Sequence, residues 1–351
     1  MTTEIFLITR ILFLAFFSFA LAFLFTPILT HYLYKYRFWK KQVRTEAVDG
    51  SPIIHATHAD NELNTPRMGG LLIWVTAAIV TLGYWILSQF FPNYEEWDFL
   101  SRSETWLPLF TLVSAGLVGA IDDFLVIKGK GKYIGGGMAF KIRVLLISAI
   151  GLVGAWWFVS KLGFSEVFVP FVGNIDIGWL YGPLFIIVLL ALFSSSVVDG
   201  LDGLSAGVFS TIFVTFAAIA FARGQYDLAT FCAVLLGALL AYLWFNIPPA
   251  RFFMGETGII ALTTTITVVA FLTNSVFLLP VAGIILVAES ASVVIQLLSK
   301  KFRGKKVFLA APIHYHFIAK GWPSYKVTMR IWVISGVFSA LALLIFLAGP
   351  R

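Results

Sequence analysis

Four short segments of this chain carry side chains able to do ionic chemistry. They are Gly119-Ala-Ile-Asp122-Asp123-Phe124, Val198-Asp199-Gly-Leu-Asp202-Gly203, Asn246-Ile-Pro-Pro-Ala-Arg251-Phe-Phe253-Met-Gly255-Glu256 and Ala311-Pro-Ile-His314-Tyr-His316-Phe317. Each alone has a plain structural reading, because Asp and Gly cap helices and close turns and a lone histidine usually sits in a solvated loop. Adjacent carboxylates such as Asp122 and Asp123 repel one another and are best tolerated beside a cation or with a shared proton. Carboxylates without cysteine partners favour a hard cation held by oxygen; Mg²⁺ takes one or two of them together with waters and substrate phosphates. Nearby cations, including Lys141 and Arg143 after the Asp pair, suit anionic groups. Together these features point to phosphoryl transfer, where positioning and charge neutralisation supply most of the catalysis.

The elements that must position these residues are membrane helices. Of 351 residues, 59% are hydrophobic and 12% charged, half the ionic content of about 25% usual in a soluble domain. That balance excludes a soluble enzyme, a disordered chain and an ordinary nucleic-acid binder. Cys232 is the only cysteine, so neither an intrachain disulfide nor a cysteine metal cluster can form. A helix needs roughly 20 apolar residues to cross the hydrocarbon. Reading on that basis predicts an all-α polytopic membrane protein, a single domain over residues 1–351 with about ten transmembrane helices. The predicted spans are 5–30, 70–91, 106–121, 142–160, 178–198, 204–222, 227–246, 258–274, 276–298 and 330–348. The first is too long for a cleaved signal peptide and carries Arg10. A short surface hairpin is expected between spans four and five, where Pro170, Gly173 and Asn174 interrupt the apolar pattern.

In this ten-span arrangement twenty of the 25 Lys and Arg fall on one side, among them Lys35, Lys41, Arg44, Arg67, Lys130, Lys132, Lys300 and Lys305. The positive-inside rule makes that side cytoplasmic and both termini extracytoplasmic. All four polar segments then sit at the cytoplasmic face. A carboxylate at bilayer depth is expensive and is a functional candidate by default. The stretch Gly129-Lys-Gly-Lys-Tyr-Ile-Gly135-Gly-Gly137 is no P-loop, since neither Gly-Lys-Ser/Thr nor a preceding strand accompanies it; it reads as a basic loop.

Taken in order, Thr65-Pro-Arg-Met-Gly-Gly70, Asp122-Asp123, Asp199-Gly-Leu-Asp-Gly203, Phe245-Asn246 with Phe253-Met-Gly-Glu256, and Ala311 to Phe317 carry a resemblance. So does the run from Glu289 through Ser292 and Gln296 to Lys305 and Phe308. The chain resembles the polyprenyl-phosphate N-acetylhexosamine-1-phosphate transferase superfamily and, within it, the phospho-N-acetylmuramoyl-pentapeptide transferase family. The resemblance implies Mg²⁺-dependent transfer of phospho-MurNAc-pentapeptide from UDP-MurNAc-pentapeptide to undecaprenyl phosphate, giving lipid I and UMP for peptidoglycan synthesis. It implies an enzyme of the bacterial cytoplasmic membrane, embedded in the bilayer with its site facing the cytoplasm, dimeric, and without a nucleic-acid partner.

By position, the resemblance assigns Glu256 to Mg²⁺, Asp199 to the metal and nucleophile network, and Asp122 and Asp123 to the lipid phosphate. Gly200, Leu201 and Asp202 would border the uracil with Phe253 stacked on it, and Asn246 would hydrogen-bond within the site. His314 and His316 would contact the donor's phosphates or sugar, and Lys141 would offset phosphate charge. Four positions depart from the family pattern: Glu256 replaces an aspartate, Ser196 an asparagine and Tyr315 the middle histidine of a triplet. The lysine usual before Thr-Pro gives way to Glu62-Leu63-Asn64, and Arg67 is expected to supply the missing charge. Competing readings are a relative using UDP-N-acetylglucosamine or another UDP-sugar, an ion-coupled transporter, and a catalytically weakened binding protein.

Overall fold

The structure, a computed structural model, describes residues 3–40, 64–129 and 137–349. The predicted basic loop at 130–136, and Lys41, Arg44, Glu62 and Leu63, lie outside the described residues. In chain order the helices are α1 (Thr3–Lys35), α2 (Leu71–Phe90), α3 (Trp106–Lys128), α4 (Phe140–Trp156), α5 (Tyr181–Ser194), α6 (Leu204–Ala222), α7 (Tyr226–Asn246) and α8 (Gly255–Leu272). They continue with α9 (Leu279–Ala282), α10 (Ile284–Arg303), α11 (Ile313–Ala319) and α12 (Ser324–Ala348). The hairpin expected between spans four and five is present as β1 (Glu166–Val169) and antiparallel β2 (Gly173–Asp176). Among the described residues nine helices are long and apolar enough to cross a membrane, and a bent pair brings the total to ten.

Two predicted spans differ in shape. The third continues past residue 121 to Lys128, so Asp122 and Asp123 lie inside α3 and not in the loop beyond it. The helix can extend because Gly129 supplies a left-handed C-cap at φ 62°. The ninth, 276–298, is broken: Val276–Ala282 and Ile284–Arg303 meet at 79°. Gly283 ends the short α9, and the residue pattern changes beyond it. Along α10, Glu289, Ser292, Gln296 and Ser299 are buried while Val287, Val294, Ile295 and Phe302 are exposed. The 3-4-3 spacing puts the polar set on one helix face. The bend turns that face towards protein and leaves the apolar one for lipid, as a medium without water demands.

At the centre stands α8, buried over 94% of its apolar window, against 22% for α1 and 28% for α12. Its close neighbours are admitted by glycine. A Cβ on Gly119 of α3 would fall on the Glu256 carbonyl, and one on Gly70 would fall on the backbone of Gly258. Small residues at helix crossings let backbones approach within van der Waals contact, which drives association in lipid. Trp74 Nε1 of α2 donates to Thr257 Oγ1 at 3.1 Å, and that hydroxyl donates to the Gly116 carbonyl of α3 at 2.9 Å. One polar thread therefore ties three helices.

Gly119→Ala is expected to destabilise the protein by about 1–3 kcal/mol, because no flexible side chain can yield at that contact. Gly83→Ala, where a Cβ meets nothing within 4 Å, is the control and should leave stability unchanged or higher. Thermal unfolding of the two purified variants in detergent checks the contrast.

Candidate active site

The site is organised by the first turn of α8. The Gly255 N–H donates to Asp199 Oδ2 at 3.2 Å and the Thr257 N–H to Asp123 Oδ2 at 3.0 Å. These are amides left without intrahelical acceptors at a helix start, where the dipole also favours negative charge. Gly255 is at φ +72°, and a Cβ there would collide with the Asp123 carboxylate, so glycine is required twice over. The turn is held from the other side by the segment before α2. Phe253 N–H donates to the Pro66 carbonyl at 2.8 Å, and Gly69 and Gly70 N–H donate back to the carbonyls of Phe253 and Met254 at 2.8 and 2.9 Å. This ladder carries Arg67 into the site, where its Nε donates to Asp123 Oδ1 at 3.1 Å.

A second guanidinium comes from the start of α4. Arg143 Nη1 donates to Glu256 Oε1 at 3.0 Å and lies 3.9 Å from Asp122 Oδ2. Asp122 Oδ1 accepts from the Met138 N–H at 2.6 Å. Four carboxyl groups, Asp122, Asp123, Asp199 and Glu256, are thus set against two guanidinium groups, Arg67 and Arg143. Among the described residues no group of three or more His, Cys, Asp or Glu side chains is placed to hold a metal ion by itself. Glu256 Oε2, however, is buried without a hydrogen-bond partner, and Mg²⁺ uses one or two carboxylates and completes its shell with waters and phosphates. The donor set fits such an ion.

The loop from Asp199 to Gly203 is pinned along its length. Ser205 donates to Asp199 Oδ1 at 2.9 Å, Tyr315 Oη to the Gly200 carbonyl at 3.0 Å, and Trp332 Nε1 to the Gly203 carbonyl at 3.1 Å. Asn246 is enclosed by backbone: its Oδ1 accepts from the Gly203 N–H and its Nδ2 donates to the Phe252 carbonyl, both at 2.8 Å. Asp202 Oδ2 accepts from the Ala250 N–H at 3.1 Å. Desolvation pushes the Asp199 carboxyl above the ordinary carboxylate range, partly offset by the Ser205 hydroxyl and Arg67. The carboxyl then ionises at a higher pH than an exposed aspartate.

The structure thus brings Asp122, Asp123, Asp199, Glu256 and Arg67 together, with Gly200, Leu201 and Asp202 on the adjoining loop. Phe253 is half-buried beside the ladder, and Ser196 is half-buried at the end of α5, its carbonyl accepting from the Asp199 N–H at 3.3 Å. Lys141 is exposed, whereas Arg143 is buried in the cluster. Because α4 begins at Phe140, two residues turn a side chain to the other face. His314 is buried against Glu289. His316 stands apart, its Nδ1 accepting from the Leu309 N–H at 3.1 Å, with its basicity lowered by desolvation and by Lys320. Gln296 shapes the same segment, accepting from the Val307 and Phe308 N–H groups and donating to the Phe308 carbonyl. Sequence reasoning named Arg143 only as a cation suited to anionic groups, without a role of its own, and passed over Ser205 and Trp332. For Arg143 the available signal was its spacing from Lys141 at a helix start.

Residues 105–274 match the family model described as glycosyl transferase family 4. The phospho-N-acetylmuramoyl-pentapeptide-transferase of Lacticaseibacillus paracasei is 35% identical over 94% of this chain and 96% of its own length. The enzyme of that name from Pelagibacter ubique is 33% identical over 82% of this chain and 81% of its own length. The one from Halalkalibacterium halodurans is 32% identical over 98% of both.

Asn246→Ala is expected to lower stability by on the order of 2 kcal/mol, since it leaves the Gly203 N–H and the Phe252 carbonyl without partners in a buried place. Denaturation of the variant in detergent, compared with the wild type, measures the loss.

Proposed function

The chain belongs to the phospho-N-acetylmuramoyl-pentapeptide-transferase family, and from that premise we propose that it transfers phospho-MurNAc-pentapeptide from UDP-MurNAc-pentapeptide to undecaprenyl phosphate. An oxygen of the lipid phosphate attacks the phosphorus next to the sugar, the diphosphate P–O bond breaks, and UMP leaves with the bond electrons. The products are lipid I and UMP, one phosphoanhydride having replaced another. The reaction takes place at the cytoplasmic face of the bacterial inner membrane.

The observation that carries this reading is the convergence of four carboxylates and two guanidinium groups on one helix start, at one end of a membrane bundle. A transporter's carboxylates would line a path through the bilayer; these gather where five chain segments meet. The Asp122–Asp123 pair receives the lipid phosphate, and its charge keeps the nucleophilic oxygen oriented while Arg67 and Arg143 limit the repulsion. Glu256, which has an unpartnered oxygen, and Asp199 would hold Mg²⁺. When bound, that ion offsets the charge that builds on the departing UMP phosphate. The Gly200 to Asp202 loop and Phe253 receive the uridine. His316 and Lys141 stand outside this arrangement and serve the substrate from the rim.

Purified protein with UDP-MurNAc-pentapeptide, undecaprenyl phosphate and Mg²⁺ should release UMP, and chelation should abolish and Mg²⁺ restore the release. Turnover with UDP-N-acetylglucosamine instead would overturn the donor assignment. Glu256→Gln and Arg143→Ala should each lower kcat by roughly 10²–10³-fold, the scale of a lost electrostatic contact in a transition state. Lys141→Ala should fall by much less. Steady-state kinetics on the three variants provides the comparison.

A further inference from the structure

His314 and Glu289 form a pair withdrawn entirely from solvent. His314 Nδ1 lies 2.8 Å from Glu289 Oε2, and both side chains are 0% exposed. The two come from different elements, α11 and the polar face of α10, and 25 residues of chain separate them. An apolar pair would fill the same space without the cost of withdrawing a carboxylate from water. The other imidazole nitrogen, Nε2, is buried and has no hydrogen-bond partner. It rests over Gly200, so near that a Cβ on that residue would fall on it. The ring is held from a second direction by Tyr315, whose own ring centroid is 4.2 Å away and whose hydroxyl donates to the Gly200 carbonyl at 3.0 Å. The imidazole is therefore fixed in orientation, with one nitrogen committed and the other buried without a partner against the loop that adjoins the carboxylate cluster.

An ionised carboxylate can only accept, so Nδ1 is the nitrogen that donates to Glu289. In the neutral ring Nε2 then carries a lone pair. A lone pair against Gly200, which lies between Asp199 and Asp202 in the chain, repels a phosphate oxygen and welcomes a hydrogen-bond donor. We propose that Glu289 is a positioning residue for the transfer: it holds His314 in the Nδ1–H form with Nε2 facing the Asp199–Gly203 loop, where Nε2 accepts from an N–H or O–H of the nucleoside or sugar part of the bound donor. This rests on the reading of the chain as a nucleotide-sugar transferase. It also moves His314 from the donor's phosphates to its neutral, hydrogen-bond-donating groups.

The test is a double-mutant cycle in kcat/KM for UDP-MurNAc-pentapeptide, using the near-isosteric Glu289→Gln, His314→Ala and the pair. It is joined by ¹⁵N spectra of the histidine rings in the detergent-solubilised full chain, where the His314 signals are those lost in His314→Ala. Glu289→Gln is expected to lower kcat/KM by roughly 10–100-fold, the range seen when the partner behind a functional histidine is removed. It should have no further effect in the His314→Ala background, because Glu289 acts only through that ring. The wild-type spectrum should show Nδ1 protonated and Nε2 bare, and Glu289→Gln should shift that tautomer. Multiplicative losses in the double variant, or a protonated Nε2 in the wild type, would overturn the proposal. Should the wild type turn over no UDP-MurNAc-pentapeptide, the proposed function fails, while the ring spectra still decide whether Glu289 sets the tautomer.

Discussion

The start of α8 is the constraint on which the rest of this structure depends. A buried helix leaves its first amides without partners, and in lipid no water can supply them. Here the amides of Gly255 and Thr257 are taken by carboxylates from two other parts of the chain, Asp199 and Asp123. The requirement runs both ways, since those carboxylates could not remain charged at such depth without donors. One set of contacts thus satisfies a structural demand of the fold and assembles the chemical groups. The glycines at 119, 70 and 258 are subordinate to it: they bring α3 and the segment before α2 near enough for the contacts to form.

Charge balance follows from the same geometry. Each guanidinium is matched to a particular carboxylate, Arg67 to Asp123 and Arg143 to Glu256. Arg67 rides on the segment before α2, and Arg143 stands in the first turn of α4, at the end of that span. The cluster holds more carboxyl than guanidinium groups, a donor set that suits a divalent cation, together with an unpartnered carboxylate oxygen on Glu256. Around it, α10 presents a polar stripe that clamps the segment holding both histidines, so that a membrane helix acts as the mould for a surface loop.

Much of this was legible in the sequence because membrane helices follow from composition almost without context. The long apolar runs located the spans, and the acidic motifs at their ends named Asp122, Asp123, Asp199 and Glu256 as companions. What was not legible depended on three-dimensional facts. The break at Gly283 is invisible to a count of apolar residues, since the two halves taken together are long and apolar enough to pass as one span. The extension of α3 beyond residue 121 required knowing that Asp122 would find a donor in the Met138 N–H and Asp123 one on α8. The choice between Lys141 and Arg143 turned on which residue begins α4, and helix starts are the least certain part of any sequence reading. Asn246 sits in the motif that suggested it, yet both ends of its amide are occupied by backbone.

The lateness of α8 in the chain has a consequence for how the protein is made. Thr257, whose amide receives Asp123, is translated 134 residues after it. At ordinary synthesis rates of about 5–20 residues per second, Asp123 waits on the order of ten seconds for its donor on α8. During that interval α3 must sit in or beside the translocation machinery with two carboxylates near one end. Biogenesis is therefore obliged to hold the early helices loosely until the eighth arrives, and the site closes as one of the last acts of assembly.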